Sequence, residues 1–189
     1  MGLLIGVFAL ACALGDAVAK DAVNKTIERH ALGIAEIVAS QATTARSVYA
    51  SEIVEKLKAD GFGPSVDSAG MPGHVPIPAQ FLKLVGRAAS ANSHKLYEYK
   101  PISKWNLEPT QGLTDDFLRW AWPQLEQQDQ PNPSAAIAWQ PVSRFEMRDG
   151  KRVLRYLSAD PASQATCVTC HNADEKRPDV VALRNANGV

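Results

Sequence analysis

The sequence lacks an excess of charge of either sign, because 20 Lys and Arg residues balance 20 Asp and Glu residues. A neutral chain gives no reason to expect nucleic acid or an anionic membrane surface as a partner. The sequence also lacks a Gly-rich phosphate loop, an internal repeat, and serine residues set beside histidine at catalytic spacing. The adjacent Asp115 and Asp116 are better explained by capping of a helix than by acid–base chemistry. We therefore expect that the protein is not an enzyme.

Cysteine is scarce, with 3 residues in a chain of 189. Cys12 lies in an apolar leader, so the remaining pair, Cys167 and Cys170, provides no disulfide framework. The length fits one ordinary domain plus a short extension, which is enough for a hydrophobic core.

The N-terminus has no Lys or Arg ahead of its apolar run, which occupies residues 3–14. As a helix this run is roughly 20 Å long, short of the ~30 Å hydrocarbon core of a bilayer. The length favours a secretory signal peptide, and Ala17 and Ala19 form a cleavage site of the A-x-A type. The missing positive charge leaves an uncleaved anchor open. Residues 1–19 are thus a signal peptide or an N-terminal membrane anchor, and either predicts a periplasmic or extracytoplasmic location.

No proline and only Gly33 occur between residues 16 and 59, which predicts a long helix, here placed at 20–60. At about 60 Å it exceeds what a compact domain of this size needs, so its first half is expected to project as a stalk. His30 is expected to be a solvated residue of that half. The stripe expected to face the core comprises Ile27, Ala31, Ile34, Val38, Ala45 and Val48, and the residues expected to face solvent include Lys25, Glu28, Arg29, Glu36, Arg46, Glu52, Glu55 and Lys58.

The rest of the chain predicts an α+β domain. A Gly- and Pro-rich loop follows the long helix, and a second helix runs from Pro78 to about residue 91. Alternation predicts a strand at 94–102 that begins with His94, a surface residue. A third helix is capped at 114–116 and presents an apolar, partly aromatic face for core packing; Pro123 ends or bends it. Strand-like runs at 135–147 and 152–157 are joined at Asp149-Gly150, a strong hairpin signal.

Cys167, Cys170 and His171 form the spacing that attaches a c-type haem. Each thiol adds to one porphyrin vinyl group, while the adjacent imidazole reaches the iron as the proximal axial ligand. A zinc site would need four ligands, a thioredoxin-like pair would need a βαβ pattern, and a simple disulfide would not use the histidine. The motif therefore predicts one covalently attached haem c.

The other axial position of the iron is less determined by the sequence. Met71 and His74 lie in the loop after the long helix, and both side chains are able to ligate haem iron. Alternatively, both are ordinary loop residues.

Six segments in a fixed order resemble a family of extracytoplasmic monohaem c-type domains, long catalogued as a domain of unknown function. The segments are 43–49, 75–81, 96–103, 113–117, 154–156 and 167–172, and the resemblance spans roughly residues 25–175. The family is found alone or as the input domain of membrane sensor kinases and chemoreceptors. Its fold is PAS-like, with an antiparallel sheet flanked by helices.

The resemblance implies a PAS-like haem domain at 61–178, which packs on the C-terminal half of the long helix, and a tail at 179–189. It carries over Cys167, Cys170 and His171, but not the distal ligand, which differs among relatives. That position is then filled by His74, by Met71, or by water, or it is vacant, with His74 ranked above Met71.

Three functions follow from the resemblance. The first is a sensor of redox state or of a diatomic gas, the second is a small electron-transfer cytochrome, and the third, with least support, is an enzyme such as a peroxidase. The expected partners are a small gaseous ligand or a redox partner, and a separate signalling protein or a second copy bound through the long helix.

Overall fold

The computed structural model describes residues 2–92, 96–104, 109–128 and 138–161. These residues form helices and two small sheets, with a long helix at the N-terminus. The mixed α and β composition predicted from the sequence is therefore confirmed.

The long helix, Gly2–Ala59, is continuous. It consists of α1 (Gly2–Val48), one π-helical segment (Tyr49–Val54) and α2 (Glu55–Ala59). It ends in a Schellman motif, in which the Phe62 amide donates to the Leu57 carbonyl and the Gly61 amide to the Lys58 carbonyl. Gly61 has the positive φ of 81° that this motif requires. The helix is long and apolar enough to cross a membrane, although an N-terminal signal sequence has the same properties.

The prediction of a single core-facing stripe on this helix is wrong. Ile27, Ile34 and Val48 are exposed, whereas the alanines and valine between them are half-buried. Two charged residues expected in solvent, Glu28 and Arg46, instead form ion pairs with the domain. The domain thus packs on a different side of the helix from the one that the isoleucines mark.

A loop joins the end of the long helix to α3 (Pro78–Asn92), and α3 packs against the long helix. The loop between them contains β1 (Pro64–Ser65) and β2 (Val75–Pro76), which pair in parallel. The Tyr49 ring stacks on Phe81 of α3 with ring centroids 4.2 Å apart, and Leu82 is buried between the helices. Gly86 allows the chain beyond α3 to approach closely, since a Cβ at this position would lie 2.5 Å from the Tyr99 carbonyl oxygen.

The predicted strand at 94–102 is wrong for its described part, residues 96–102, and His94 lies outside the described residues. The burial still alternates, with Tyr97 and Tyr99 half-buried. Pro101 has no amide hydrogen to donate to a neighbouring strand. Its carbonyl oxygen accepts a hydrogen bond from the Gln111 side chain, not from the backbone of a strand. The alternating sequence pattern therefore predicts correctly which side chains are half-buried, but the segment does not pair with a strand.

The third predicted helix is confirmed as α4 (Asp116–Glu126). Asp115 is its N-cap and accepts a hydrogen bond from the Leu118 amide at 2.9 Å. Pro123 lies inside the helix without ending it. Most of the face predicted for core packing forms the main core, with Phe117, Leu118, Ala121 and Leu125 buried against Val142, but Trp120, which was predicted in the same face, is exposed.

The predicted hairpin is confirmed as β3 (Val142–Arg148) and β4 (Lys151–Leu157), which pair antiparallel. Asp149 and Gly150 have φ of 49° and 73°, the two positive values of a type I′ turn. The first strand begins at Val142, so residues 138–141 of the predicted run are not strand, and residues 135–137 lie outside the described residues.

The hairpin lies between α4 and the long helix. Arg144, Glu146 and Arg155 face α4, where both arginines lie over the Phe117 ring. The alternate residues of β4 face α1: Arg152 pairs with Glu28, and Tyr156 lies close to Glu36. The described residues thus contain one antiparallel pair of strands flanked by helices.

The contact of α1 with β4 and with the chain that follows β4, up to Asp160, runs parallel. Glu28 and Arg46 are about 27 Å apart along the helix axis at 1.5 Å per residue. Their partners, Arg152 and Asp160, are about 26 Å apart in extended chain at 3.3 Å per residue. The two lengths match, so ion pairs form at both ends of the contact.

Candidate functional site

The predicted haem-binding residues Cys167, Cys170 and His171 lie outside the described residues, which end at residue 161. The structure does describe the segment that leads into the motif and the loop that holds the two distal candidates. Within the described ranges, no group of three or more His, Cys, Asp and Glu side chains is arranged to hold a metal ion. The described site therefore consists of those two segments and the elements that hold them.

The segment that leads toward the predicted haem motif is fixed by a bidentate ion pair. Arg46 Nε and one of its terminal nitrogens each donate to a carboxylate oxygen of Asp160 at 2.7 Å. The two side chains are 12% and 29% exposed, so the pair is largely shielded from water. Asp160 precedes Cys167 by seven residues in the sequence. The long helix thus holds the chain just before the motif begins.

Tyr99 lies next to this ion pair. Burial raises the pKa of its phenol to about 12, and the negative charge of Asp160 adds to the increase while Arg46 opposes it. The phenol is therefore neutral at physiological pH. Its backbone carbonyl lies against Gly86, which places α3, the 96–103 segment and the ion pair next to one another.

The two distal candidates lie at opposite ends of one tight turn. The His74 amide donates to the Met71 carbonyl at 3.1 Å, with Pro72 and Gly73 between them. Gly73 has a φ of 78°, so Pro and Gly occupy the positions that a type II turn prefers. A Cβ on Gly73 would also lie 2.4 Å from the Phe62 ring, so both its backbone and its neighbour require glycine here.

Both candidate side chains have donor atoms suited to haem iron. His74 Nδ1 lies 3.3 Å from the Pro72 carbonyl oxygen. When Nδ1 carries the proton of this hydrogen bond, Nε2 keeps a free lone pair for a metal. The Met71 side chain is exposed, and its sulfur accepts a hydrogen bond from Ser65 Oγ at 3.5 Å. An imidazole nitrogen and a thioether sulfur are both known distal ligands, so this turn fits the predicted cofactor chemically.

The loop that carries the turn is fixed to the long helix as well. The Tyr49 hydroxyl donates to the Pro76 carbonyl at 2.7 Å. Within the loop, the Val75 amide donates to the Gly63 carbonyl, and Gln80 Nε2 donates to the Val66 carbonyl at 2.8 Å.

The two segments therefore meet on one turn of the long helix. Arg46 holds the segment that leads to the predicted proximal ligand, and Tyr49, three residues later, holds the loop of the predicted distal candidates. Residues three apart lie on the same side of a helix. Sequence reasoning missed this role, since it placed Arg46 in solvent. The signal was present in residues 43–49, one of the segments that carried the family resemblance.

A second charged cluster, between α4 and the hairpin, is structural. Burial would raise the pKa of Asp115, but the Leu118 amide and the Arg155 guanidinium outweigh it and lower that pKa. The same opposition between burial and the guanidinium groups of Arg155 and Arg148 lowers the pKa of Glu146. The cluster holds the cap of α4 against β4 and presents no arrangement for catalysis among the described residues.

Comparison with known proteins gives one result. No curated protein and no solved structure matches the sequence. A family model, described as Tll0287-like, matches residues 24–188, which covers most of the chain and includes the cysteine motif. The chain belongs to the Tll0287-like family.

Proposed function

We propose that the chain binds one haem c through thioether bonds to Cys167 and Cys170, with His171 as the proximal axial ligand. The proposal is supported by the spacing of the motif and by family membership over a range that contains it. When bound, the haem supplies a redox-active iron with one further axial position.

His74 is the proposed distal residue, with Met71 as the second candidate. The hydrogen bond from His74 to the Pro72 carbonyl favours the tautomer whose Nε2 is free. The imidazole is also half-buried, with its ring edge-on to Phe62 at 6.4 Å between centroids, whereas Met71 is more exposed. A partly shielded ring held in one orientation is the better ligand of the two.

The proposed function is extracytoplasmic sensing of redox state or of a diatomic gas by a PAS-like domain. One observation carries this proposal: the segments of the proximal and distal residues are both fixed to the long helix, at Arg46 and Tyr49. A change in the ligands of the iron would alter the relative positions of these segments. Such a change shifts an equilibrium only if the two states bind the effector with different affinities. The long helix is then the element that passes the change to a separate signalling partner.

Electron transfer is the alternative function. It is favoured by the presence of two side chains, His74 and Met71, that are able to fill the distal position permanently. An iron with two strong protein ligands cycles between oxidation states without binding a gas.

Haem staining of a denaturing gel tests the cofactor. Full-length protein is produced with the haem-attachment machinery, beside a Cys167→Ala, Cys170→Ala double variant. We expect a stained band at the mass of the chain that is absent from the double variant. An unstained wild-type protein would contradict the proposal.

Spectra of the reduced protein with and without CO then separate the two functions. Fast CO binding supports sensing, and a spectrum that CO leaves unchanged supports electron transfer. His74→Ala is expected to shift the Soret and visible bands, while His30→Ala, a change at an exposed histidine of α1, leaves them in place. Unaltered spectra in both His74→Ala and Met71→Ala would remove the two proposed distal ligands.

A further inference from the structure

One side of α1 carries an exposed stripe that repeats every seven residues. Its positions alternate in steps of four and three along the sequence. Five are large and apolar, each 53% to 63% exposed, and three are exposed polar residues. In chain order these eight residues, the heptad stripe, are Val23, Ile27, His30, Ile34, Ile37, Gln41, Thr44 and Val48.

The domain lies against other sides of the same helix. Glu28 pairs with Arg152 of the hairpin, Arg46 pairs with Asp160 just beyond it, and Ala42 and Ala50 are buried against the rest of the fold. None of the described residues covers the heptad stripe, since all eight of its members are exposed. An apolar surface of this length is therefore open beside a packed domain.

The spacing identifies the class of partner as another α-helix. A strict seven-residue repeat drifts by about 20° per heptad around a straight helix, and it stays on a partner only when two helices supercoil. The heptad stripe keeps this repeat from residue 23 to residue 48. Ile27, Ile34 and Val48 fall at a positions of the heptad, and the polar Gln41 occupies the a position between Ile34 and Val48, where a single polar residue specifies the oligomer state of a coiled coil.

The flanking residues indicate that the partner helix is the same helix in a second copy. The e and g positions that border the stripe carry only small or uncharged side chains: Asn24, Thr26, Ala31, Gly33, Val38, Ser40, Ala45 and Ser47. Charges at these positions normally select a different chain with complementary charges. Here they neither repel an identical helix nor select another one.

We propose that two copies of the chain pair in parallel through the heptad stripe. In this arrangement each polar residue of the stripe meets its own copy, and a pair of Gln41 amides can donate and accept hydrogen bonds with each other. Polar residues at such positions fix the register of a coiled coil. The Tyr49–Val54 π-helical segment begins directly after Val48, so the repeat ends where the helix geometry changes.

The apolar N-terminus agrees with the parallel orientation. Continued backwards, the same alternation of four and three first passes Lys20 and Asp16, which pair with each other on the same helix, and then reaches Ala13, Ala9, Gly6 and Gly2. Small residues at this spacing let apolar helices approach closely, and the space beside Gly2 and Gly6 is open. Two parallel chains place these segments side by side, whereas an antiparallel pair would direct them apart.

Disulfide cross-linking of the full chain tests the orientation. In a Cys12→Ser background, Ile27→Cys is oxidised in detergent, with Arg29→Cys, exposed on the same turn, as the matched control. A parallel pair brings the two introduced Ile27→Cys thiols together and keeps those of Arg29→Cys apart. We expect a dimer band for Ile27→Cys alone. An antiparallel pair would place the two residue-27 positions about 25 Å apart, so the absence of this band would overturn the parallel arrangement.

Sedimentation of the full chain tests the dimer itself. We expect a mass of two chains, and a monomer for Ile34→Asp, which introduces facing like charges and weakens association by at least about a hundredfold. Arg29→Asp should leave the dimer intact. A wild-type monomer, a trimer, or a dimer that Ile34→Asp does not affect would overturn the proposal. Because the proposal does not depend on haem attachment, haem staining of the same samples distinguishes its failure from failure of the proposed function.

Discussion

Removal of the Arg46–Asp160 ion pair is expected to destabilise the domain against the long helix. The pair makes two charge-assisted hydrogen bonds of 2.7 Å, and its members are only 12% and 29% exposed. Exposed ion pairs contribute roughly 0–1 kcal/mol, while breaking a buried pair costs roughly 3–5 kcal/mol because one charge stays uncompensated. For this intermediate burial we expect Arg46→Gln or Asp160→Asn alone to cost about 2 kcal/mol.

The measurement is thermal unfolding of the full chain, followed by circular dichroism. In a protein of this size, about 2 kcal/mol corresponds to a decrease of roughly 4–8 °C in Tm. The double variant should cost little more than either single variant, since the first change already removes the interaction. Lys56→Gln breaks a fully exposed pair with Glu52 and serves as the control, with no expected change in Tm. Additive losses from the two single variants would refute the inferred coupling between these residues.

Three further outcomes are expected. Asp115→Asn keeps the cap of α4 but removes a carboxylate whose pKa is lowered in the folded state. As the pH falls below about 4, this variant should lose less stability than wild type, because only wild type loses the contribution of the ionised carboxylate. Equal acid titrations of unfolding for wild type and Asp115→Asn, with Asp116→Asn as the exposed control, would contradict this. Gly86→Ala should lower Tm, because the new Cβ would lie 2.5 Å from a backbone oxygen. Gly33→Ala, at a helical position with open space, should leave Tm equal or higher. A higher Tm for Gly86→Ala than for Gly33→Ala in thermal melts would show that the close approach of the chain at Gly86 does not exclude a side chain. Gly150→Ala should cost about 1 kcal/mol in urea unfolding, because φ at this turn is 73°, and an unchanged midpoint would count against the type I′ geometry.

Local signals in the sequence predicted most of the described elements. The Asp115 cap, the Asp149-Gly150 turn and Pro78 at the start of α3 each act within a few residues, and each element lies where these signals place it. The strand at 96–102 failed because a strand needs a partner, and alternation in one segment carries no information about the neighbouring backbone.

The faces of the long helix could not be assigned from the sequence for a similar reason. Ile34 and Ala42 are both apolar residues on a helix, yet the first is exposed and the second is buried. Periodicity identifies an apolar face, but it does not say whether the chain's own domain or another helix covers it. The side of the helix that the domain covers is set by the ion pairs of Glu28 and Arg46, which form with residues more than a hundred positions away. The haem-binding residues were found by their spacing alone, and that assignment stays a prediction.

The matched lengths of the 28–46 stretch of α1 and of the chain from Arg152 to Asp160 restrict how the long helix tolerates insertions. One residue added between Glu28 and Arg46 would turn one end of the contact by about 100° relative to the other. Arg152 and Asp160 could then no longer both reach their partners. An insertion before residue 23 would leave the relation between those ion pairs unchanged, since it shifts both of them together. The region from 28 to 46 therefore has a fixed length, whereas these ion pairs set no length for the part of the helix that precedes it.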